Sequence, residues 1–341
     1  MSIENPSRPA AAATRLPPEL VLAILATAGR KTLRATSLVH PTWRHPSQLL
    51  LEHDLSLPSR KVAKRWLQVR GRKTWTRSVC IPVGLDTEDA EEVLDGVRDG
   101  LEFLTLVAQE GASGKSKFEI DLLEASSLKG IKTLRLTAPF SDPIHPGVEF
   151  SFPFRLSSLS FKGLYDSFPS ALVSALVHSS IDTLTTLDLD TYGSQATAST
   201  FFDALVAIAP KIKHLELHGS ADRTTPSLIT FLTACTSLET FSCWEASLAV
   251  LCSLGATVKH LTISKNFIYH NDVPFDTLLC DSRLLDQLDK IKWPGISRAT
   301  LKAQRGGGEL LDDCRERGIE TSFGVETIGN WYGLGVGPRR W

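Results

Sequence analysis

A short apolar alternation recurs along this 341-residue chain and constrains its fold more than any other feature. Each copy has an apolar, a polar and an apolar residue in succession, with a further apolar residue three positions before the first. The copies begin at Leu134, Leu159, Leu187, Leu215, Phe241 and Leu261, and the preceding apolar residues are Ile131, Leu156, Leu184, Ile212, Leu238 and Val258. A weaker copy is Leu288, Ile291 and Trp293. Period-two alternation is typical of half-buried strands, so we predict a series of repeated strands.

Helical patterns fill the segments between these strands. Apolar residues recur four positions apart, as at Leu172 and Leu176 or Leu228 and Leu232, and this spacing predicts helices. A chain that alternates strand and helix favours parallel pairing with the helices outside the sheet. Successive strands start 20 to 30 residues apart, near the roughly 20–29 residues typical of leucine-rich repeats. We therefore predict an α/β fold with an irregular leucine-rich-repeat solenoid, or horseshoe, over 78–323. It should begin near 79–81 and end with a helix over 297–317 and a strand over 319–323.

Composition excludes several classes of protein. Hydrophobic residues make up 42% of the chain, charged residues 22%, and the net charge is −1, so we expect a sizeable core and no attraction of the molecule as a whole to nucleic acid, although local basic patches could still bind it. No apolar run approaches the ~20 residues of a membrane span, and the first fifteen residues lack the pattern of a signal peptide. The six cysteines contain no C-x-x-C pair, which is typical of a reducing compartment. We therefore expect no membrane partner and a location in the cytoplasm and/or nucleus.

The N-terminal segment has a different, purely helical pattern. Pro17 and Pro18 precede Glu19 at a predicted helix start, where proline is tolerated and a carboxylate suits the helix dipole. The pairs Leu20/Ile24 and Val21/Leu25 then form two adjacent apolar stripes. A helix that is apolar over so wide an arc must pack against neighbours on more than one side to bury its apolar residues. A unit of about forty residues can form only a small core of its own. We expect this segment to leave apolar surface for a partner.

The same segment resembles an F-box. The resemblance rests on Leu-Pro-Pro-Glu-Leu at 16–20, Ile-Leu at 24–25, Ser-Leu-Val at 37–39 and Trp-Arg at 43–44. The family usually carries Cys and Lys where this chain has His40 and Thr42. The resemblance implies a substrate receptor of a cullin–RING ubiquitin ligase, which binds a Skp-type adaptor, and through it a cullin, while the repeats bind an unknown target protein. The implied adaptor-facing or F-box-core residues are Leu16, Pro17, Leu20, Ile24, Leu38, Val39 and Trp43.

These patterns together predict five segments. They are a disordered N-terminus (1–13), the F-box (14–57), a basic linker helix (58–77), the repeats (78–323) and a C-terminal tail (324–341). In the linker, Val62, Trp66 and Val69 should form one apolar face between solvated charges. Basic residues with tryptophans also suit nucleic acid, and that interpretation stays open. So does a non-catalytic repeat scaffold whose N-terminal helices only cap the solenoid.

Alternation also predicts which polar residues line the concave face of the array. When the leucines of a strand point inward, the residues between them point to the other face, which is the usual binding face of such solenoids. The predicted target-binding residues are Arg135, Asp188, Asp190, His214, Glu216, Trp244 and His260. Strand residues that face solvent are polar whether or not they bind a partner, and this alone explains the polarity of most of these residues. Trp244 has the character of an aromatic anchor.

Two chemical signals in the sequence are incomplete. Residues 111–116 resemble a phosphate loop, but the position that should carry its first glycine is Gln109, which leaves an NTPase as the weakest alternative. His214, Glu216, His218 and His260 could meet a metal ion, but neighbours at i and i+2 on a strand lie about 6.6–7 Å apart. We therefore expect no metal, no cofactor and no catalytic residues.

Overall fold

A computed structural model describes residues 16–39, 41–57, 59–68, 76–82, 85, 87–97, 100–107, 117–137, 139–141, 150–164, 167–192, 195–218, 225–244, 247–264 and 284–324. The helices among them are α1 (Pro18–Ala26), α2 (Arg30–Val39), α3 (Pro41–His53), α4 (Arg60–Gln68), α5 (Thr87–Gly96), α6 (Ser170–Ser180), α7 (Gln195–Leu205), α8 (Pro226–Ala234), α9 (Leu248–Cys252), α10 (Arg298–Lys302) and α11 (Gly307–Glu316). The strands are β1 (Asp54–Ser56), β2 (Ser78–Pro82), β3 (Phe103–Val107), β4 (Thr133–Leu136), β5 (Ser158–Leu164), β6 (Thr186–Tyr192), β7 (His214–Leu217), β8 (Thr240–Cys243), β9 (His260–Ile263), β10 (Lys290–Trp293) and β11 (Glu320–Phe323).

The eleven described strands form one parallel sheet in which spatial order follows chain order from β1 to β11. Each strand from β2 to β10 bonds to its predecessor and its successor in the sequence, and the repeated triplets align in register, as at Leu159, Leu187 and Leu215. The α/β class and the strand alternation predicted from the sequence are confirmed. None of the helices in the described part of the chain combines the length and apolar character that a bilayer-crossing segment requires.

One continuous core lies between the sheet and its helices. The first apolar residue of each triplet is buried, and so is the residue three positions before it, as Leu187 and Leu184 show. Helices α6 to α9 pack against each other in succession and contribute buried residues such as Leu172 and Phe231. Inward-pointing strand residues and one apolar stripe per helix therefore make the core. The opposite side of the sheet, here called the open face, carries the polar strand residues.

The sheet begins one strand earlier than the sequence predicts. β1 pairs in parallel with β2, so α4 connects two strands of the sheet. Its buried side is Ala63, Trp66 and Leu67. Val62, predicted to lie on that side, is exposed, and Val69 falls outside the described residues. The phosphate-loop-like segment at 111–116, the N-terminus at 1–13 and the tail from 325 also fall outside them.

The single helix predicted over 297–317 is two helices, α10 and α11. The break occurs at Gly306, whose φ of 74° lies in the left-handed region that glycine adopts without steric penalty. Gly307 follows at a close backbone approach, since a Cβ there would lie 1.9 Å from the carbonyl oxygen of Leu301. Glycine at these positions therefore permits the tight turn between the two helices.

Candidate functional site

The first candidate surface belongs to the helical unit, defined here as α1, α2 and α3. This unit has a small core of its own, in which Val21, Leu25 and Leu33 are buried. Leu16 and Trp43 pack against that core and are partly buried. Helices α1 and α2 both contact α3, and the Thr36 and Ser47 hydroxyls are 2.8 Å apart where α2 meets α3. The helical unit therefore packs around α3.

The two apolar stripes of α1 have different environments. Val21 and Leu25 are buried, whereas Leu20 and Ile24 are exposed. At the end of α2, Leu38 is 88% exposed and Val39 is 79% exposed. Of the residues predicted to face an adaptor, these four lie on the surface together with Pro17, whereas Leu16 and Trp43 contribute to the small core. Leu22, which the sequence did not single out, is also exposed.

The second candidate surface is a charged cluster on the open face. The middle polar positions of neighbouring strands align in register, which places Arg135, Ser160, Asp188 and Glu216 side by side. Neighbouring strands lie about 4.8 Å apart, so side chains of opposite charge in this row lie within contact distance. Lys162 lies two positions beyond Ser160 on β5, and His218 follows the last residue of β7.

Asp188 is the centre of this cluster. Ser160 Oγ donates a hydrogen bond of 2.8 Å to Asp188 Oδ2, and Lys162 Nζ and Arg135 Nη2 lie 3.5 Å and 3.8 Å from the same oxygen. On the other side, His218 Nε2 lies 3.3 Å from Asp188 Oδ1 and 2.9 Å from Glu216 Oε1. Arg135, Ser160, Lys162, Asp188, Glu216 and His218 are called the Asp188 cluster below.

The charges of the cluster stabilise one another. Burial disfavours the imidazolium of His218, but the hydrogen bonds to Asp188 and Glu216 and their negative charges raise the pKa of His218 to about 9. Burial likewise acts to raise the pKa of Asp188, yet His218, Lys162 and Ser160 outweigh it and hold that pKa below its ordinary value. At neutral pH the cluster therefore contains an imidazolium between two carboxylates.

The same three groups could also hold a metal ion, since ligand atoms of Asp188, Glu216 and His218 lie within 4.8 Å of one another. The expectation that i and i+2 neighbours are too far apart is wrong for Glu216 and His218, because their side chains converge to 2.9 Å. Two fixed cations, Lys162 and Arg135, already face Asp188, and they oppose the binding of a further cation. We therefore interpret the arrangement as a protonated-histidine ion network.

In the described part of the chain, the other predicted target-binding residues form no ion pair with Asp188. His214 and His260 are exposed on β7 and β9, to either side of β8. Asp190 stands opposite Lys162 in register, with no ion pair between them among the described residues. Trp244 follows β8, is half-buried, and donates its backbone N–H to Leu217 O at 2.9 Å. The structure thus brings together only Arg135, Asp188 and Glu216 of the predicted set.

Four residues of this surface are absent from the predicted target-binding set, and one of them, His218, was considered only as a metal ligand. Ser160, Lys162 and His218 lie on predicted open-face positions, but their convergence on Asp188 depends on side-chain conformation. Phe103 was missed because β3 was not predicted; it is exposed, and its partner in register is Thr133 on β4. The alternation Phe-Leu-Thr-Leu-Val over 103–107 is the signal that could have identified it.

Comparison with known proteins gives no further assignment for either surface. No family model matches this sequence, and no curated protein matches it. The roles of the helical unit and of the open face must therefore follow from their geometry and chemistry.

Proposed function

We propose that this chain is the substrate-recognition subunit of an SCF-type ubiquitin ligase. In this proposal the helical unit is an F-box that binds a Skp-type adaptor, and through it a cullin. The observation that carries the proposal is the exposure of Leu38 and Val39, with Leu20 and Ile24, on a unit that buries only three apolar side chains completely among its described residues. Exposed large apolar side chains in such number are typical of a surface that a protein partner covers.

The second half of the proposal concerns the sheet as a degenerate leucine-rich-repeat array. Its support is the sequential parallel order of the strands. A second support is the buried apolar residue that lies three positions before the first apolar residue of each triplet, as Ile212 lies before Leu215. The open face would hold a target protein close to the ligase's ubiquitin-conjugating enzyme, which raises the effective concentration of the reactants. The chain itself would supply no catalytic residue.

Co-expression with a Skp-type adaptor tests the F-box assignment. The variant Leu38→Asp/Val39→Asp places two charges on the exposed apolar end of α2. The control Thr32→Asp/Ala35→Asp places the same charges at exposed positions of the same helix. We expect the first variant to lose at least ten-fold in adaptor capture and the control to bind as the wild type does. Equal capture by wild type and Leu38→Asp/Val39→Asp would refute the F-box assignment.

A second candidate, a repeat scaffold with a helical cap, has its own support. Helix α3 leads directly into β1, Arg77 N donates to His53 O at 2.9 Å, and Thr76 Oγ1 donates to Glu52 O at 2.9 Å. The helical unit is thus joined to the first edge of the sheet, where a solenoid needs a cap. If the cap is its only role, the purified chain stays soluble and monomeric alone and ignores the adaptor when the two are mixed.

A further inference from the structure

The C-terminal edge of the sheet leaves the last layer of the core partly open. The core-facing residues of β10, Ile291 and Trp293, are fully buried. Their partners in register on β11, Thr321 and Phe323, are only half-buried, although the ring of Phe323 stacks on that of Trp293 with the centroids 5.4 Å apart. Among the described strands, none lies beyond β11. The core-facing side of β11 therefore lacks the neighbouring strand that helps to bury the same positions on β10.

The backbone of β11 also has hydrogen-bonding groups that point away from the described sheet. The N–H groups of Glu320 and Gly324 donate to carbonyl oxygens on the β10 side, at 2.9 Å and 3.2 Å. Successive residues of a strand direct these groups to opposite sides, so the N–H groups of Thr321 and Phe323 point to the free edge. A row of such groups is a template for pairing with a further strand.

The sequence that follows β11 has the pattern of a strand that returns along this edge. Residues 325–341 lie outside the described residues. Their sequence has Gly-Asn at 329–330, which is a turn signal. An alternation of apolar residues and glycines follows, and its apolar members are Tyr332, Leu334 and Val336. Period-two alternation predicts a strand, and Pro338 would end it.

The register of this pairing follows from the direction of the free groups on β11. A four-residue loop over 328–331 would make Phe323 and Val336 opposite partners, with Val325 and Leu334 as the next pair on the same face. Opposite residues of an antiparallel pair lie on one face of a sheet, and Phe323 faces the core. Leu334 and Val336 would then also face the core, and the glycines would lie on the open face. A slip of one residue would reverse the two faces.

We propose that residues 332–337 pair antiparallel with β11 and cover the C-terminal end of the core. The edge of β11 supplies the donors and acceptors, and half-buried Phe323 supplies the apolar contact. The segment is joined to β11 by a short connection, which gives it a higher effective concentration at this edge than a second copy of the chain has. Its presence there would also prevent edge-to-edge association of the sheet with other chains.

Hydrogen exchange of single amides, followed by NMR on the full chain, tests the proposal. We expect the Thr321 and Phe323 amides of the wild type to exchange at least a hundred-fold more slowly than in the unfolded chain. Leu334→Ser/Val336→Ser should make them exchange at least ten-fold faster. The control Gly333→Ser/Gly335→Ser introduces the same residues on the alternate positions and should leave the exchange as slow as in the wild type.

The amides of Glu320 and Gly324 serve as an internal reference, since they bond to the β10 side and should stay protected in both variants. Three outcomes would overturn the proposal. They are unprotected Thr321 and Phe323 amides in the wild type, equal exchange in the two variants, and a protection that disappears on dilution, which would assign the edge to a second copy. The wild-type measurement decides even if a variant fails to fold, and it is independent of adaptor capture.

Discussion

Single residues decide the geometry at two places in this molecule, the turn between α10 and α11 and the centre of the Asp188 cluster. At the first, neighbouring glycines have opposite environments. A Cβ on Gly307 would lie 1.9 Å from Leu301 O, whereas a Cβ on Gly308 would have no atom within 4 Å. The backbone around Leu301 therefore tolerates only a glycine at position 307.

These two glycines provide a matched pair of substitutions. We expect Gly307→Ala to lower the free energy of unfolding by more than about 2 kcal/mol, because the clash is with backbone. Gly308→Ala should leave it unchanged or raise it by about 0.5–1 kcal/mol, since alanine favours the helical state. Urea unfolding followed by circular dichroism measures both. Equal effects of the two substitutions would show that the approach to Leu301 is not as close as described.

At the second place, His218 makes stability depend on pH. The folded pKa of His218 is about 9, compared with about 6.5 for an unperturbed histidine. The stabilisation is therefore fully present below about pH 6.5 and is lost as the pH rises through 9, because only the folded state holds the proton in that interval. We expect a loss on the order of 2 kcal/mol between those pH values, after allowance for solvent screening.

The control variants separate this effect from general alkaline destabilisation. His218→Gln should remove most of the pH dependence between 6.5 and 9, whereas His260→Gln, at an exposed position on β9, should keep the wild-type slope. Urea midpoints at several pH values give the measurement. The same slope in wild type and His218→Gln would contradict the imidazolium between Asp188 and Glu216.

At the scale of elements, α8 shows how a short helix is fixed at its start. The Thr225 side chain is buried, and its Oγ1 accepts a hydrogen bond from Leu228 N at 3.2 Å. An N-cap of this kind contributes about 1 kcal/mol to stability. Thr230 in the same helix is exposed, and its hydroxyl donates to Pro226 O at 3.0 Å, a local bond that brings no net helix stability.

Alanine substitution at these two threonines tests the role of the cap. Thr225→Ala should lower the free energy of unfolding by about 1 kcal/mol, since an N–H in the first turn loses its acceptor. Thr230→Ala should have no effect or a small stabilising one, because alanine has the higher helix propensity. Thermal unfolding of both variants would decide. A larger loss for Thr230→Ala would mean that the cap does not stabilise α8.

The elements also show what could be predicted from the sequence. β4 to β10 were predictable because each has alternating apolar residues and a buried residue three positions before the first of them, whereas β11 lacks that preceding residue, since Gly318 is exposed. β1 has only three residues, too few for a period to be recognised. Two 3-10 helices, Ile120–Glu124 and Ser126–Gly130, lie between β3 and β4, so within residues 117–132 no amphipathic α-helix marks β3 as part of the series. The break at Gly306 depends on a close tertiary approach, which local pattern does not reveal.

The two candidate surfaces also differ in how far they could be predicted from the sequence. The exposure of Leu20 and Ile24 follows from an apolar arc too wide for a small unit to bury, which sequence reasoning can recognise. The Asp188 cluster needs four strands in register, β4 to β7, and one side chain, His218, that follows the end of β7. Alternation identifies the face on which these residues lie, but the partners of Asp188 depend on side-chain conformations across neighbouring strands.

At the scale of the whole molecule, the described residues contain two separate cores. The small core of the helical unit includes Val21, Leu25 and Leu33, and the large core extends from Leu57 to Ile319. A core of so few side chains contributes little free energy. The helical unit should therefore open locally more often than the sheet, and covering its exposed leucines with a partner should protect it.

Hydrogen exchange with mass spectrometry tests this independence. Leu25→Ala removes one of the few buried side chains of the helical unit, at a cost of about 2–5 kcal/mol. We expect faster exchange across α1 to α3 and unchanged exchange in β4 to β8. Leu159→Ala, at a fully buried position of β5, should instead raise exchange in the sheet. Faster exchange throughout the chain in Leu25→Ala would show that the two cores unfold together.

The sequential order of the strands also bears on how the chain can fold during synthesis. In the described sheet, each new strand requires only the preceding one, which has already left the ribosome. The sheet can therefore add its strands in the order in which they are synthesised, from β1 to β11, and no strand needs a partner that is translated later. The apolar side chains of the helical unit emerge before the first strand, so a partner could bind them while the rest of the polypeptide is still being made.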